Sequence, residues 1–231
     1  MNVFYDDTKA FSRPSVCEFQ NVRHPRIRIV IAISTLTLTM VCIGRLPAAR
    51  AQTSAQVATK EFVDQALQIL RDPQKSVQAK RRELKPLMEA RFDSSEMARS
   101  TLGYHWRSLT PDQCADFTHI FTGFIEAAYL DKVQDYSGQQ VQFGQSRSLG
   151  EGYAAVDTSI VQPGKTPLPV TYLLEQTSSG WKVYDVTVDN ISIIANYRTQ
   201  FNRVINEQGF PKLMADLRTK AQQLGAELGE G

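Results

Sequence analysis

The sequence predicts an α+β fold in which helices from both ends of the chain pack against a curved antiparallel sheet of four strands and enclose an apolar pocket. Two observations predict this fold. Apolar residues recur at helical spacing from residue 56 to residue 128, and again after residue 190. Between these regions, short segments of alternating apolar and polar residues are separated only by short turns, which is typical of an antiparallel meander.

The first 51 residues differ in kind from the remainder. Basic residues between positions 23 and 28 precede an apolar run from Ile29 to Ile43, and Ala49-Arg50-Ala51 follows it. A basic segment, an apolar segment too short for a membrane span and an A-x-A site are typical of a secretory signal peptide. We therefore predict a signal peptide over residues 1–51 and one exported domain over residues 52–231. A retained N-terminal anchor is the alternative.

Removal of the signal peptide would change both the charge and the thiol content. The whole chain has a formal net charge of +2, whereas residues 52–231 hold 19 basic and 21 acidic residues. With slightly more acidic than basic residues, this segment has no excess of positive charge that would indicate nucleic-acid binding. Cys114 would be the only cysteine left, so no internal disulfide could form and stability would have to come from the core.

Four helices are predicted before the sheet. The first covers residues 56–70, and Pro73 suits the start of a charged second helix over residues 75–89. A third runs from residue 93 or 94 to Gly103. The clearest helix start in the chain is the capping box Thr110-Pro111-Asp112-Gln113, which opens a fourth helix with a wide aromatic face.

The period of the apolar residues changes after Gly138, where the strands are expected. They are predicted around residues 141–143, 153–161, 170–176 and 181–188. Asn190 is then predicted to cap a fifth helix that Gly209 ends, and Pro211 is predicted to open the last helix.

No set of catalytic or metal-binding residues stands out. The two histidines of residues 52–231 have no partner motif, so a metal site is not predicted. Gly150–Ala155 loosely matches a nucleotide-binding glycine motif, but it lies between two strands. Cys114 fits a small buried hydrophobe better than a reactive thiol. Asp185 beside Tyr184 could form an acid–base pair inside a cone-shaped sheet, and an enzyme of that type is the alternative function.

Three stretches of the chain carry a family resemblance: LGYHWRSLTPDQCADFTHIF, PLPVTYLL and GWKVYDVTVDNISIIANYRTQFNRVI. They resemble the MlaC family, the periplasmic phospholipid-binding components of the Mla (toluene-tolerance) ABC transport system. The resemblance runs from about residue 92 to residue 226. Its most specific part is an ordered set of residues: Trp181, Val183, Tyr184, Asp185, Val186, Ile191, Ser192, Asn196, Tyr197, Arg198 and Phe201.

The resemblance implies a phospholipid carrier in the periplasm rather than an enzyme. Such a carrier has no cofactor and shuttles lipid between an inner-membrane ABC transporter complex and an outer-membrane lipoprotein complex, which maintains the lipid asymmetry of the outer membrane. A hopanoid-associated lipid-binding relative is a further alternative.

A carrier of this kind needs apolar surface rather than reactive groups. Two acyl chains hold roughly 30 methylenes, each worth about 0.8 kcal/mol when it leaves water. We expect a slot between the concave sheet and the aromatic helix faces; the alternative is that the same residues are ordinary core. The expected lipid-binding residues are Phe121, Phe124, Ile125, Val141, Phe143, Tyr153, Tyr172, Leu174, Val186, Ile194, Tyr197 and Phe201.

Two segments are candidates for movement or docking. The junction Asp189–Ser192 lies between the last predicted strand and the helix after it. The second helix carries the basic run Lys80, Arg81 and Arg82, which is either a surface for a partner or an ordinary solvated face.

Overall fold

The computed structural model describes residues 47–228, with side chains from residue 55 to residue 225. The apolar run of the predicted signal peptide lies outside the described residues. The last residues of that segment, from Pro47 onward, belong to the first helix. Within the part of the chain that the structure describes, no helix has both the length and the apolar character that a membrane span requires.

Helices occupy both ends of the described chain, as the sequence predicts. Four of them precede the sheet: α1 (Pro47–Arg71), α2 (Val77–Arg91), α3 (Ser94–Leu102) and α4 (Pro111–Leu130). Short 3₁₀ segments follow α3 and α4, at Gly103–Ser108 and Asp131–Asp135. After the sheet come α5 (Ile193–Gln208) and α6 (Phe210–Leu228).

The predicted caps of α3 and α4 are confirmed. Asp93 accepts a hydrogen bond from the Glu96 amide at 2.9 Å, and Gly103 ends α3 with a φ of 58°. At the start of α4, the Thr110 hydroxyl accepts from the Gln113 amide and the Gln113 side chain accepts from the Thr110 amide. Both reciprocal bonds of a capping box are therefore present.

The sheet has five strands rather than the four that the sequence predicts. They are β1 (Gln140–Gly150), β2 (Tyr153–Val161), β3 (Leu168–Thr177), β4 (Gly180–Val188) and β5 (Ile191–Ser192). Their order in the sheet is the order in the chain, and every neighbouring pair is antiparallel. The predicted meander is confirmed, with one short strand added at its end.

The extra strand arises from the residues that were predicted to cap a helix. Asp189 and Asn190 have φ angles of 49° and 64°, the left-handed conformation that a tight two-residue hairpin requires. The chain reverses there, and Ile191 pairs with Val188. The N-cap of α5 is Ser192, whose hydroxyl accepts from the Ala195 amide. Asn suits both a cap and a left-handed turn, so the sequence alone did not separate the two roles.

Strand β4 contains a bulge at Tyr184. Val183 pairs with Leu174 and Asp185 pairs with Leu173, so Tyr184 is the extra residue between them. A bulge shifts the alternation of side chains by one residue.

Because of this shift, the apolar residues on both sides of the bulge share one face of the sheet. Trp181 and Val183 precede the bulge, Val186 and Val188 follow it, and all four pair with residues on the same face of β3.

Two buried regions hold the fold together. Helix α1 packs on β1, β2 and β4, and the core between them contains Ala55, Ala154, Val156, Leu174, Trp181 and Val183. Helices α4, α5 and α6 meet around an aromatic cluster. In that cluster the ring of Phe117 lies 5.5 Å from Phe121 and 6.2 Å from Phe201, and all three side chains are buried.

Arg81 ties α2 to the end of α4. The residue is only 6% exposed, its Nε donates to the Leu130 carbonyl at 3.1 Å, and its Nη2 donates to the Asp131 carboxylate at 3.2 Å. The sequence placed Arg81 on a basic surface together with Arg82, but only Arg82 is exposed. Arg81 is therefore a structural residue rather than part of a docking face.

We predict that Arg81→Ala destabilises the protein by about 2–4 kcal/mol, because it leaves the buried Leu130 carbonyl without this donor and the Asp131 carboxylate without its ion-pair partner. Arg82→Ala on the same helix should change stability by less than about 0.5 kcal/mol. Urea denaturation followed by circular dichroism measures both values. Equal effects of the two substitutions would contradict the structural role of Arg81.

Candidate functional site

A cleft of about 220 Å³ lies between the helices and the sheet. It is partly open to solvent, and its surface is mostly apolar. Its position between two layers follows from the fold, since the helices and the strands each contribute one apolar face. The cleft is therefore the first place to look for a ligand.

Three aromatic rings form one wall of the cleft. The ring of Phe62 on α1 meets Phe92 edge to face at 5.6 Å and Tyr172 on β3 at 6.5 Å. Burial raises the pKa of the Tyr172 hydroxyl to about 12, so this side chain is uncharged at neutral pH. The wall therefore presents no charge to a ligand.

Aliphatic side chains and two further rings, those of Phe121 and Tyr129, complete the lining. Every layer supplies some of them: Met88 from α2, Met97 from α3, Phe121 and Ile125 from α4, Val186 and Val188 from β4, and Ile193 from α5. Methionine side chains are flexible and adapt to ligands of irregular shape.

The edge of the cleft between α2 and α4 is polar. Glu89 on α2 and Thr122 and Glu126 on α4 belong to the lining. Glu126 is 8% exposed, and its Oε2 lies 3.6 Å from Nζ of Lys85 on α2. Oγ1 of Thr122 is buried and has no hydrogen-bond partner in the described part of the chain. We call Lys85, Glu89, Thr122 and Glu126 the polar edge.

A protein family matches most of this chain. The model of the family described as MlaC protein matches residues 60–219, which include every residue that lines the cleft. The chain belongs to the MlaC family. The resemblance seen in the sequence is thereby confirmed.

Curated relatives agree with this membership. The chain is 28% identical over 203 residues to the intermembrane phospholipid transport system binding protein MlaC of Haemophilus influenzae, covering 83% of this chain and 92% of that protein. It is also 26% identical over 138 residues to the toluene tolerance protein ttg2D of Pseudomonas putida, covering 60% and 63%.

A solved structure has a similar fold. It is a phospholipid-binding protein from Ralstonia solanacearum, determined in complex with a phospholipid. The TM-score is 0.66 at 25% identity, and the match covers 74% of this chain and 99% of that chain. The architecture of the described residues is thus similar to that of a phospholipid-binding protein.

In this MlaC-family chain, four of the twelve residues expected to bind lipid line the cleft: Phe121, Ile125, Tyr172 and Val186. Their contact with a ligand stays a prediction. The sequence missed other lining residues, among them Phe62, Met88 and Phe92. Phe62 stood out as apolar at helical spacing, but spacing does not say which neighbour a helix face meets.

The other eight expected residues lie outside this lining. Leu174, Ile194 and Phe201 are buried in the core. Tyr153 is 45% exposed and packs against Tyr184. Val141 and Phe143 are half-buried on β1. Phe124 and Tyr197 are rings of the aromatic cluster.

Asp185 does not face the cleft, although the enzyme alternative placed it in an apolar pocket. Its carboxylate accepts hydrogen bonds from the Ser192 hydroxyl at 2.5 Å, the Ile194 amide at 3.2 Å and the Val186 amide at 2.8 Å. These bonds join β4 to the first turn of α5, where a negative charge also meets the positive end of the helix dipole. The carboxylate has a structural role at this junction.

The other candidate reactive groups are not activated either. Burial raises the pKa of the half-buried Cys114 thiol, which keeps it protonated at neutral pH. Burial, and then the charge of Asp185, raise the pKa of Tyr184. Within residues 47–228, no group of three or more His, Cys, Asp or Glu side chains is placed to hold a metal ion.

We predict that Asp185→Asn lowers the free energy of unfolding by about 1–3 kcal/mol, because an amide cannot accept all three hydrogen bonds and carries no charge for the helix dipole. Asp189→Asn is the matched control, since asparagine tolerates the left-handed conformation of that turn. Urea denaturation measures both. A neutral Asp185→Asn would contradict the structural role.

Proposed function

We propose that this MlaC-family protein is a periplasmic phospholipid carrier. It takes a phospholipid from one membrane complex and hands it to another, and this transfer maintains the lipid asymmetry of the outer membrane. The observation that carries the proposal is the apolar cleft between sheet and helices, in a chain whose relatives are named for phospholipid binding and transport. The expected signal peptide over residues 1–51 would direct it to the periplasm.

The physical requirement of a carrier matches the chemistry of the cleft. Moving two acyl chains of a phospholipid out of water is worth roughly 20–25 kcal/mol in gross terms. Only a large apolar surface provides that shielding, and the walls of the cleft are built from aromatic and aliphatic side chains. An enzyme site would instead bring several polar reactive groups together.

The cleft must widen to hold such a ligand. Its volume of about 220 Å³ is below the roughly 300–1,000 Å³ of ordinary ligand pockets. A diacyl lipid needs the upper part of that range or more, so its entry has to separate the walls. The ligand itself then fills the space and replaces the contacts that the walls lose.

Helix α2 is the wall that we expect to move. Pro86 interrupts the hydrogen bonding of α2 before the cleft-lining residue Met88. Beyond it, the helix end is held by two contacts with β4: Arg91 Nη1 donates to the Trp181 carbonyl at 2.9 Å, and Lys182 Nζ donates to the Ala90 carbonyl at 2.5 Å. Opening this wall would break these polar contacts and also separate Met88 from the buried residues of α4 against which it packs.

Release also needs help from a partner. A gross burial of roughly 20 kcal/mol would make spontaneous release far too slow for transport. We therefore propose that docking to an inner-membrane ABC transporter complex, and to an outer-membrane lipoprotein complex, lowers this barrier by separating the walls of the cleft.

We predict that the purified protein carries diacyl phospholipid and that Ile125→Trp abolishes this binding. The larger ring occupies the cleft, whose free volume lets the substitution fold normally. Solvent extraction followed by mass spectrometry identifies the lipid, and circular dichroism checks the fold. The lipid class found also distinguishes a glycerophospholipid from a hopanoid.

Leu149→Trp is the control, since Leu149 on β1 is exposed and lies outside the cleft lining. It should leave the bound lipid unchanged. A wild-type protein that is always empty and takes up no labelled phospholipid from vesicles would refute the proposed function.

A further inference from the structure

The face of the sheet opposite the cleft carries a second group of aromatic and charged side chains. Tyr153 on β2 and Glu175 on β3 are register partners. Their chain neighbours Ala154 and Leu174 are buried in the core beneath α1, and side chains alternate between the two faces of a sheet. Tyr153 and Glu175 therefore lie on the outer face, where the ring of Tyr184 meets that of Tyr153. We call Tyr153, Glu175 and Tyr184 the outer patch.

The carboxylate of the outer patch has no partner of its own. Glu175 is half-buried, and in the described part of the chain its carboxylate accepts no hydrogen bond and forms no ion pair. Arg99 is already occupied, because its Nε and Nη2 donate to the two carboxylate oxygens of Glu96 at 2.7 and 2.6 Å. Lys182 is the cross-strand neighbour of Glu175 but donates to a carbonyl of α2. Neither cation therefore pairs with Glu175.

The position of this carboxylate is unfavourable to folding at neutral pH. Burial raises the pKa of Glu175, and the charges of Asp93 and Glu96 raise it further against the opposing effect of Arg99. A carboxyl whose pKa is higher in the folded than in the unfolded protein favours folding at low pH, and this advantage is lost as the pH rises through the folded pKa. Groups that are perturbed in this way cluster at functional sites, where a ligand supplies the missing partner.

The two tyrosine rings add a second attraction for a cation. Tyr153 is 45% exposed and meets Tyr184 edge to face, with 5.9 Å between the ring centroids. Burial and then Asp185 raise the pKa of Tyr184, and the nearby Glu175 contributes to the same shift. The ring of Tyr184 is therefore uncharged at neutral pH. Cations bind over the negative face of such rings, so the outer patch combines ring faces with an unpaired carboxylate.

We propose that the outer patch binds an arginine side chain presented by a partner protein. The unpaired negative charge decides the sign of the group that is complementary to it. A guanidinium is planar, so it stacks on a tyrosine ring and donates two hydrogen bonds to a carboxylate, whereas a lysine ammonium is a point charge. Leu149, which is 46% exposed near the turn between β1 and β2, adds apolar surface that a partner protein covers and a small amine does not.

This surface goes beyond the proposed function, since it lies on the other side of the sheet from the cleft. The test titrates the purified protein with a short peptide that holds one arginine between glycines, and with the same peptide carrying citrulline, which keeps the shape of arginine without its charge. Backbone NMR shifts follow binding. The arginine peptide should bind saturably, with shifts centred on the outer patch, and the citrulline peptide should bind at least about threefold more weakly.

Substitutions in the outer patch should weaken this binding. Glu175→Gln removes the ion pair and Tyr153→Leu removes a ring face, and each should raise the Kd of the arginine peptide about threefold to fivefold. Glu175→Gln should also raise the midpoint of urea denaturation, which separates lost binding from lost folding. The matched controls are Glu207→Gln on α5 and Tyr104→Leu after α3, both at exposed positions, and neither should change the Kd.

Several outcomes would overturn the arginine site. They are equal binding of the arginine and citrulline peptides, binding of butylamine or of a lysine peptide as tight as that of the arginine peptide, and an effect of Glu207→Gln as large as that of Glu175→Gln. Lipid loading should be unchanged in Glu175→Gln. A protein that loads lipid but binds no arginine peptide refutes this inference alone, and one that binds the peptide but loads no lipid refutes the carrier function alone.

Discussion

The bulge at Tyr184 is the local feature on which the other parts of this fold depend. It lets β4 keep Val183 and Val186 on one face although the two residues are three positions apart. It also puts Asp185 where its carboxylate can accept from the Ser192 hydroxyl and from the Ile194 amide in the first turn of α5. Without the extra residue, one of these two sets of contacts would be lost, because side chains in a regular strand alternate strictly between faces. At the start of the same strand, the Val183 carbonyl accepts from the Asp93 amide, which fixes the junction between α2 and α3.

The helices divide their apolar residues between two tasks. The rings of Phe117 and Phe121 on α4 and of Phe201 on α5 pack against one another and are buried. The cleft takes its lining from α1, α2, α3, the adjoining side of α4 and the sheet. A carrier needs both arrangements, since a densely packed region keeps the fold intact while a second, less crowded region changes volume. Phe121 belongs to both regions and links them.

The contacts of α2 differ in kind along its length. Its first half is anchored by Arg81, a buried group whose removal leaves unsatisfied partners. Its second half, after Pro86, carries the exposed Glu89, forms hydrogen bonds with β4 and packs Leu87 and Met88 against buried residues of α4. Bonds of this kind exchange readily with water and contribute little to net stability. The helix therefore combines an end that is anchored by a buried group with the end that we propose to move, and Glu89 of the polar edge lies on the second of these.

The sequence by itself determined the local structure of single segments and, by adding up many weak matches, the protein family. The caps of α3 and α4, the antiparallel meander of β1 to β4 and the helices at both ends follow from patterns within a few residues, and the family follows from an ordered set of many weak matches. Only the tertiary structure decided which partner each side chain meets. Arg81 looked like surface charge and is buried; Asn190 looked like a cap and is a turn; two-thirds of the expected pocket residues are outside the lining. The physical reason is the same in each case. A charge, an asparagine or an aromatic ring has the same local preferences wherever it stands, and its role is decided by residues that are distant along the chain and near in space.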